Sequence, residues 1–351
     1  MNNKPIEKQF LKYVLPSMFS QLLASLYTIV DGLFIGVFIG DIGLGAINLA
    51  WPLAALVMAT GIGIGTGGAV IVSNKMGAND KAQSLAARAN AIIYMVIACV
   101  VLTVGMYFLI EPALLMFGAT GEVFTAAKEY SQLIVLGCSI QIFASGIFPI
   151  LRNCEKAMPV MFITVLGLVR NIILDAVFIY KLNWGIKGAA AATLLAQGIS
   201  LSIGLVLLVT DKKRPFKKAQ FKLQKNIFME ITRIGISPFA LFITPSVTLL
   251  LTNAIAIKIG GQTALATYAV SSYLCGAVSA LLSGIGDGIQ PLVSFATGAG
   301  DKKAASSVLA KGVVMALAVS LCVAVTAIFA RNILPNIYGC SDAVKEIVPT
   351  A

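Results

Sequence analysis

Three aspartates, Asp31, Asp175 and Asp287, lie within long apolar stretches of the chain. A carboxylate at the centre of a membrane helix costs about 2.5–3.5 kcal/mol on insertion scales. Acids kept at such a cost commonly carry a proton or cation or line a substrate pathway. The alternative is that each acid is only tolerated beside a water-filled cavity or near an interface.

Asp31 and Asp175 are predicted to share one cation site. Both lie in helices predicted to run outward, at about eight and about five residues before the helix ends, so at 1.5 Å per residue their depths differ by about 5 Å. Asn171 precedes Asp175 by four residues and therefore lies on the same helix face. Carboxylate and amide oxygens suit a proton or a hard cation. We therefore predict that Asp31, Asn171 and Asp175 form an H⁺ or Na⁺ coupling site, with no other metal.

Asp287, Gln290 and Arg170 are the candidate substrate-cavity residues. Asp287 precedes Gln290 and Pro291, and a proline in a membrane helix frees a backbone carbonyl and can break the helix near a site. Asp287 is therefore expected to face a cationic ligand. Arg170 is five residues from Asp175 and points to another side, where it could pair with an acid on another helix or contact an anionic headgroup.

Long apolar helices must position these residues. The chain has 351 residues, of which 58% are hydrophobic and 12% charged, whereas soluble domains have about 25% charged residues. Its apolar runs reach the roughly 20 residues that cross a bilayer core as a helix. They predict an all-α integral membrane fold with nine spans, at 11–39, 45–74, 89–110, 126–150, 158–180, 187–209, 230–259, 264–297 and 305–330. A tenth could begin near Glu346.

Basic residues indicate the orientation of these spans. Roughly three in four of the 26 lysines and arginines fall on one side if the amino terminus is cytoplasmic, as the positive-inside rule requires. The richest segment, residues 211–229, is predicted to be a cytoplasmic linker against anionic lipid. The net charge of +11 is thereby explained without a nucleic-acid partner. The expected location is the cell membrane.

An internal repeat defines the architecture. Residues 63–67 (GIGTG) recur at 284–288 (GIGDG), an offset of 221 residues, and 77–78 (GA) and 80–81 (DK) recur at 298–299 and 301–302. The copies are six spans apart, and an even number preserves topology. The repeats are therefore parallel, as in transporters built from two six-helix halves around a central cavity.

The repeat also predicts the domain organisation. We expect a six-helix lobe over 1–210, the linker over 211–229, and a partial second lobe over 230–351 that holds helices 7–9 and the start of the tenth. The second copy stops early, which favours a chain truncated after the ninth helix over a natural nine-span protein.

Several other functions are excluded. The glycine pattern at 63–68 matches a dinucleotide-binding motif, but it lies within an apolar span and not after a strand. The chain has no histidine and no nucleophile motif, so an enzyme is not expected, and no cofactor is expected. The six cysteines form no C-x-x-C pair and are interpreted as small hydrophobic residues. A channel or a purely structural membrane protein stays a minor alternative.

The sequence resembles the multidrug and toxic compound extrusion (MATE) family of antiporters along essentially its whole length. The resemblance rests on LP at 15–16, DGLFIG at 31–36, GAND at 77–80, NIILD at 171–175, GAA at 188–190 and QPL at 290–292. It implies two six-helix lobes, V-shaped when open, and export of cationic or amphipathic drugs and toxic compounds in exchange for H⁺ or Na⁺.

By the same resemblance, Asp31, Asn171 and Asp175 fall at the cation site of the first lobe, and Asp287 falls where cavity acids occur. Arg170 departs from the family pattern. The expected partners are small-molecule drugs and membrane lipids, and a monomer is expected. The alternative function is that of a related lipid-linked oligosaccharide flippase, but such proteins line the cavity with several basic residues and this chain has only Arg170 inside a span.

Overall fold

A computed structural model of the chain describes residues 9–216 and 220–330, with the side chains at 249–250, 253–254, 256–275, 277 and 327–330 left out of the description. The helices are α1 (Phe10–Phe38), α2 (Asp41–Gly77), α3 (Lys81–Met116), α4 (Gly121–Leu136), α5 (Cys138–Asn153), α6 (Ala157–Asp175), α7 (Gly185–Val209), α8 (Lys225–Gly298) and α9 (Lys302–Ala330). A π-helical segment, Ala176–Lys181, continues α6. The predicted tenth span near Glu346 lies outside the described residues.

The helices carry an apolar outer surface. Within the described residues, seven are long and apolar enough to cross a bilayer core, and the bent pair α4–α5 would make an eighth. On α3, Val100, Val104 and Phe108 are each more than half exposed. So wide an apolar surface fits lipid hydrocarbon and not water. The predicted all-α membrane fold is confirmed for this part of the chain.

The fourth predicted span, 126–150, is wrong as a single helix. It is a broken pair in which α4 and α5 meet at an angle of 59°. Gly137 lies between them, and a Cβ there would stand 2.3 Å from the side chain of Leu194 on α7. The break thus coincides with a close approach of the Leu194 side chain to a residue without a Cβ.

The seventh and eighth predicted spans, 230–259 and 264–297, lie in one helical run, α8, of 74 residues. This run cannot be straight. A Cβ on Gly67 of α2 would lie 2.4 Å from the backbone of Ile231, and one on Gly77 would lie 2.0 Å from the backbone of Phe295. Ten residues of α2 span about 15 Å, so α8 begins and ends on the same side of the molecule.

The contacts between the two copies of the repeat follow a two-fold pattern. Gly77 meets Phe295, and its repeat equivalent Gly298 meets Asn74, which is the equivalent of Phe295. In the same way, Gly63 of α2 meets residue 239 of α8, and its equivalent Gly284 meets residue 18 of α1. Gly67 meets residue 235, and its equivalent Gly288 meets residue 14. Each contact therefore has its counterpart 221 residues away. The predicted parallel repeat is confirmed by its own packing.

These contacts lie at the end of the bundle that carries most basic residues. We call it the basic end: the turns at 78–80, 154–156 and 299–301 and the connection 210–224, where α1 and α8 also begin. A hydrophobic cluster joins the two copies there, with Phe10 and Val14 of α1 against Ile285 and Leu292 of α8 and Val308 of α9. The larger cluster lies among α1–α7 and includes Ile227 and Ile231 at the start of α8. The exact lobe boundaries stay a prediction.

The connection between α7 and α8 is fixed to the first copy of the repeat. Buried Arg214 forms ion pairs with Asp211 at 3.1 Å and with Glu155 at 3.2 Å. Arg88, fully buried at the start of α3, donates a hydrogen bond to the carbonyl oxygen of Arg214 and lies 3.9 Å over the ring of Phe216. The described part of the linker is therefore an ordered strap.

Candidate functional site

The predicted cation-site residues come together between α1 and α6. Asn171 and Asp175 are fully buried, and Asp31 of α1 is partly buried. The carboxyl groups of Asp31 and Asp175 are close enough to interact electrostatically. The structure thus brings together the three residues that helix depth and spacing select.

The polar atoms of this cluster lack partners. No hydrogen bond within the described residues reaches Oδ1 of Asp31, either carboxylate oxygen of Asp175, or the side-chain oxygen and nitrogen of Asn171. Nearly all buried polar atoms in proteins are paired, and each exception needs an explanation such as an ion or a catalytic role. Four of these five atoms are oxygens, the kind of ligand that a small cation requires, and the coupling site stays a prediction.

Two tyrosines and a threonine complete the cluster. Tyr27 lies one helical turn before Asp31, and its hydroxyl donates a 3.1 Å hydrogen bond to Oγ1 of Thr193 on α7. Tyr130 of α4 is buried and close enough to interact with both carboxyl groups. Four helices of the first copy therefore contribute polar groups to a single cluster.

The helix changes character immediately after Asp175. The α-helical hydrogen-bond pattern of α6 gives way to the π-helical segment Ala176–Lys181, and the amide of Leu182 donates to the carbonyl of Val177 at 2.9 Å. Single π-helical turns occur mostly at functional sites. The irregularity at this position agrees with a site built around Asp175.

Asp287 lies elsewhere, at the contact between the copies. Its Oδ2 accepts a hydrogen bond of 2.8 Å from Nε2 of Gln21 on α1 and pairs with Nη1 of Arg152 in the last turn of α5. Its side chain is still 34% exposed. In this state the carboxylate faces a cation of the chain itself, and a meeting with a substrate stays a prediction.

Gln290 takes part in the same contact. The Nδ2 of Asn153 donates to Oε1 of Gln290 at 2.7 Å, and Ser73 of α2 donates to Oδ1 of Asn153 at 2.6 Å. The Nε2 of Gln290 also donates to Ser294 one turn further along α8 at 3.0 Å. The two predicted residues on α8 therefore both bind the end of α5.

Arg170 stands apart from both clusters. Its Nη2 donates to Oγ of Ser200 on α7 at 2.8 Å, and its Nε has no partner within the described residues. It forms no ion pair with an acid in that part of the chain. Of its two predicted roles, pairing with an acid on another helix thus finds no support there, and its role in a cavity stays a prediction.

Sequence reasoning missed several residues of these sites. Tyr27 could have been found, since its spacing of four from Asp31 places it on the same helix face. Tyr130 and Thr193 carried no such signal. Arg152 carried no signal either, because nothing in its sequence neighbourhood indicates a partner 135 positions away.

Comparison with known proteins identifies the family. The MatE family model matches residues 16–177 and 239–350. The chain belongs to the MatE family. Among curated relatives, it is 27% identical over 299 residues to the multidrug export protein MepA of Staphylococcus haemolyticus, covering 83% of this chain and 64% of that protein. It is 26% identical over 333 residues to MepA of Staphylococcus aureus strain NCTC 8325, covering 93% and 72%.

Solved structures agree with this MatE assignment. A multidrug resistance MATE family transporter of the MOP superfamily, in an outward-facing conformation, superposes with a TM-score of 0.91 at 25% identity, over 99% of this chain and 78% of that one. A MOP superfamily transporter from Pyrococcus furiosus gives a TM-score of 0.92 at 23% identity with the same coverage. The two-lobe fold predicted from the repeat is thereby confirmed.

The chain spans 64% of the length of the first curated relatives it matches. These relatives are export proteins and not enzymes, in agreement with the prediction for this chain.

Proposed function

We propose that this MatE chain serves a secondary antiporter that exports cationic or amphipathic compounds in exchange for H⁺ or Na⁺. The observation that carries the proposal is the buried cluster of Asp31, Asn171 and Asp175 with its five unpartnered polar atoms. The names of the curated relatives, multidrug export proteins, support the class of substrate.

The chemistry of the cluster suits a small cation. Two carboxylates in contact cannot both stay ionised in a buried site without a compensating positive charge. No lysine or arginine within the described residues forms an ion pair with Asp31 or Asp175. A shared proton would neutralise the pair, and Na⁺ would accept oxygen ligands from both carboxylates and from Asn171. Either ion would satisfy carboxylate oxygens that otherwise stay unpaired.

The position of the cluster offers a route to the second lobe. Asp31 lies on α1, and the same helix packs through Val14 and Met18 against Gly288 and Gly284 of α8. An ion that draws Asp31 towards Asp175 on α6 therefore acts on a helix that contacts both lobes. Ligand binding changes a conformational equilibrium only if its affinity differs between the states. A shift of α1 relative to α6 would supply that difference.

The remaining features of the proposal concern the surroundings. We place the basic end in the cytoplasm, because juxtamembrane lysines and arginines favour that side. Asp287, Gln290 and Arg170 are proposed to belong to the substrate pathway. Membrane lipids are the expected neighbours of the exposed apolar surface, and a monomer is the proposed working unit in the cell membrane.

Vesicle transport tests the proposal. The purified chain is reconstituted, and efflux of a fluorescent lipophilic cation is followed while the H⁺ and the Na⁺ gradients are dissipated in turn. Efflux should stop with one gradient, and Asp31→Asn with Asp175→Asn should abolish the dependence on that ion. Efflux with unchanged ion dependence in the double variant would refute the coupling site. Transport of a lipid-linked sugar without cation efflux would instead favour the flippase alternative.

A further inference from the structure

The ion pair between Arg152 and Asp287 joins the two lobes at the basic end. Arg152 lies in the last turn of α5 in the first lobe, and Asp287 lies on the second half of α8. The arginine side chain is 12% exposed and the carboxylate 34%. The arginine is therefore largely shielded from water, whereas the carboxylate is partly open to it.

Only one oxygen of Asp287 is used. Gln21 and Arg152 both bind Oδ2. Within the described residues no hydrogen bond is made to Oδ1, and Gly286 beside it on α8 is exposed. The carboxylate thus keeps an open side that a second cation could approach while Arg152 still holds the first oxygen.

Each member of the pair depends on the other for compensation of its charge. In the part of the chain that the structure describes, Arg152 forms no ion pair with another acid, and its Nε is buried without a partner. Glu155, the nearest acid in sequence, is already paired with Arg214. Separation of the lobes at the basic end would leave a bare carboxylate on α8 and a bare guanidinium on α5. The bare carboxylate would attract a cation entering from that end.

Neutral contacts also join the lobes at the same junction. Asn153 binds Gln290 through its amide, and Gly77 and Gly298 allow the backbones of α2 and α8 to touch. The carboxylate of the charged pair is one-third exposed, and the stability gained from an ion pair falls as water reaches it. Adhesion of the lobes therefore does not explain why a charged pair, with one oxygen left open, stands at this place.

We propose that Arg152 is a built-in competitor of the cationic substrate for Asp287. When the lobes are apart at the basic end, Asp287 binds the substrate cation. When they close, Arg152 arrives at the carboxylate, replaces the substrate as its counter-ion and lowers the affinity for the cation in the state that must release it. This assignment rests on the proposed export of cations and names the residue that drives release.

Equilibrium binding to the purified full chain tests the assignment. The probe is tetraphenylphosphonium, and triphenylphosphine oxide is its neutral counterpart. Arg152→Gln should tighten binding of the cation by about two- to fivefold, the size expected for loss of a half-exposed competing pair. The neutral compound should bind to both proteins alike. Arg152→Lys, which keeps the charge, should restore the wild-type affinity, and Arg233→Gln, at an exposed arginine of α8, should change neither.

The outcomes separate the competitor from a structural latch and from failure of the proposed function. Tightening of both probes by Arg152→Gln, or of neither, would overturn the competitor role. An Arg152→Lys protein that behaves like the glutamine variant would also overturn it. If the wild-type chain binds no cation, or if Asp287→Asn binds it as well as the wild type, cation binding at Asp287 fails before Arg152 is at issue.

Discussion

Gly77 and Gly298 let the two lobes touch through their backbones, and alanine at either position should push the lobes apart at the basic end. A Cβ on Gly298 would lie 1.8 Å from the carbonyl oxygen of Asn74, and one on Gly77 would lie 2.0 Å from that of Phe295. Real Cβ atoms almost never approach other atoms closer than 3.0 Å. Since the obstructing atoms are backbone, the helices themselves must separate by about 1 Å.

The size of the effect follows from the cost of overpacking. Forcing one extra carbon into a close contact costs about 1–3 kcal/mol. A state in which the lobes are already apart at this end does not pay that cost. The equilibrium between the two states should therefore shift by about 5- to 150-fold towards the separated one. Gly105→Ala is a matched control, because nothing lies within 4 Å of a Cβ built there.

Spin-label distances provide the assay. Lys81 and Lys302 are exposed residues at the basic end, at equivalent positions in the two repeats. Labels there, in a cysteine-free background, should show a longer distance population in Gly77→Ala and Gly298→Ala than in the wild type or in Gly105→Ala. An unchanged distribution in both variants, with the proteins folded, would refute the view that these glycines hold the basic end closed.

Three further predictions concern the strap, the cluster and the start of α8. Burial alone would raise the pKa of Asp211, but the hydrogen bond and charge of Arg214 outweigh it and lower that pKa. The strap should therefore hold fully above about pH 4 and loosen as the pH falls through the lowered pKa of Asp211. Hydrogen exchange of residues 211–216 should become faster over that pH range. Arg214→Gln should abolish this pH dependence, whereas Lys212→Gln should keep it. Tyr27→Phe removes the hydrogen bond to Thr193, whose loss costs about 0.5–1.5 kcal/mol. The ion concentration for half-maximal transport should therefore rise by a few fold. An unchanged concentration, as expected for the control Tyr107→Phe at an exposed tyrosine, would place Tyr27 outside the site. Tyr94→Ala loses a ring contact of 3.8 Å with Phe228 and a 3.1 Å hydrogen bond with Thr232. Hydrogen exchange at the start of α8 should therefore become about tenfold faster, for a loss of about 1.4 kcal/mol. Equal exchange rates in the wild type and the variant would contradict this prediction.

The sequence was sufficient to predict the helices and their pairing because the bilayer restricts the choices. A membrane helix must be long and apolar and must satisfy its own backbone, so the apolar runs predicted the spans of the described residues, apart from the break within 126–150. The repeat at 63–67 and 284–288 then predicted how the copies are related, and the two-fold packing of Gly77 and Gly298 agrees with it. Breaks were harder to predict. Gly137 stands at the break, but other glycines with equally close contacts, such as Gly68 and Gly146, lie in unbroken helices.

The residues of the candidate site could be predicted where they depend on a single helix, and not where they depend on contacts between distant segments. Asp31, Asn171 and Asp175 follow from helix depth and a spacing of four residues, both of which are properties of single helices. The partner of Asp287 is different, because Arg152 reaches it only when two lobes close on each other. The local sequence pattern does not indicate such a long-range contact. The carboxylate was therefore predicted to face a ligand where the structure gives it an arginine.

Ion release on drug binding tests the coupling site most directly. Tetraphenylphosphonium is added to the purified chain in weakly buffered solution, and released protons, or displaced radioactive Na⁺, are counted per protein. The wild type should release its coupling ion as the probe binds. The variant with Asp31→Asn and Asp175→Asn should bind the probe and release none. Release from that variant equal to the wild type would show that the coupling ion binds elsewhere and would contradict the account.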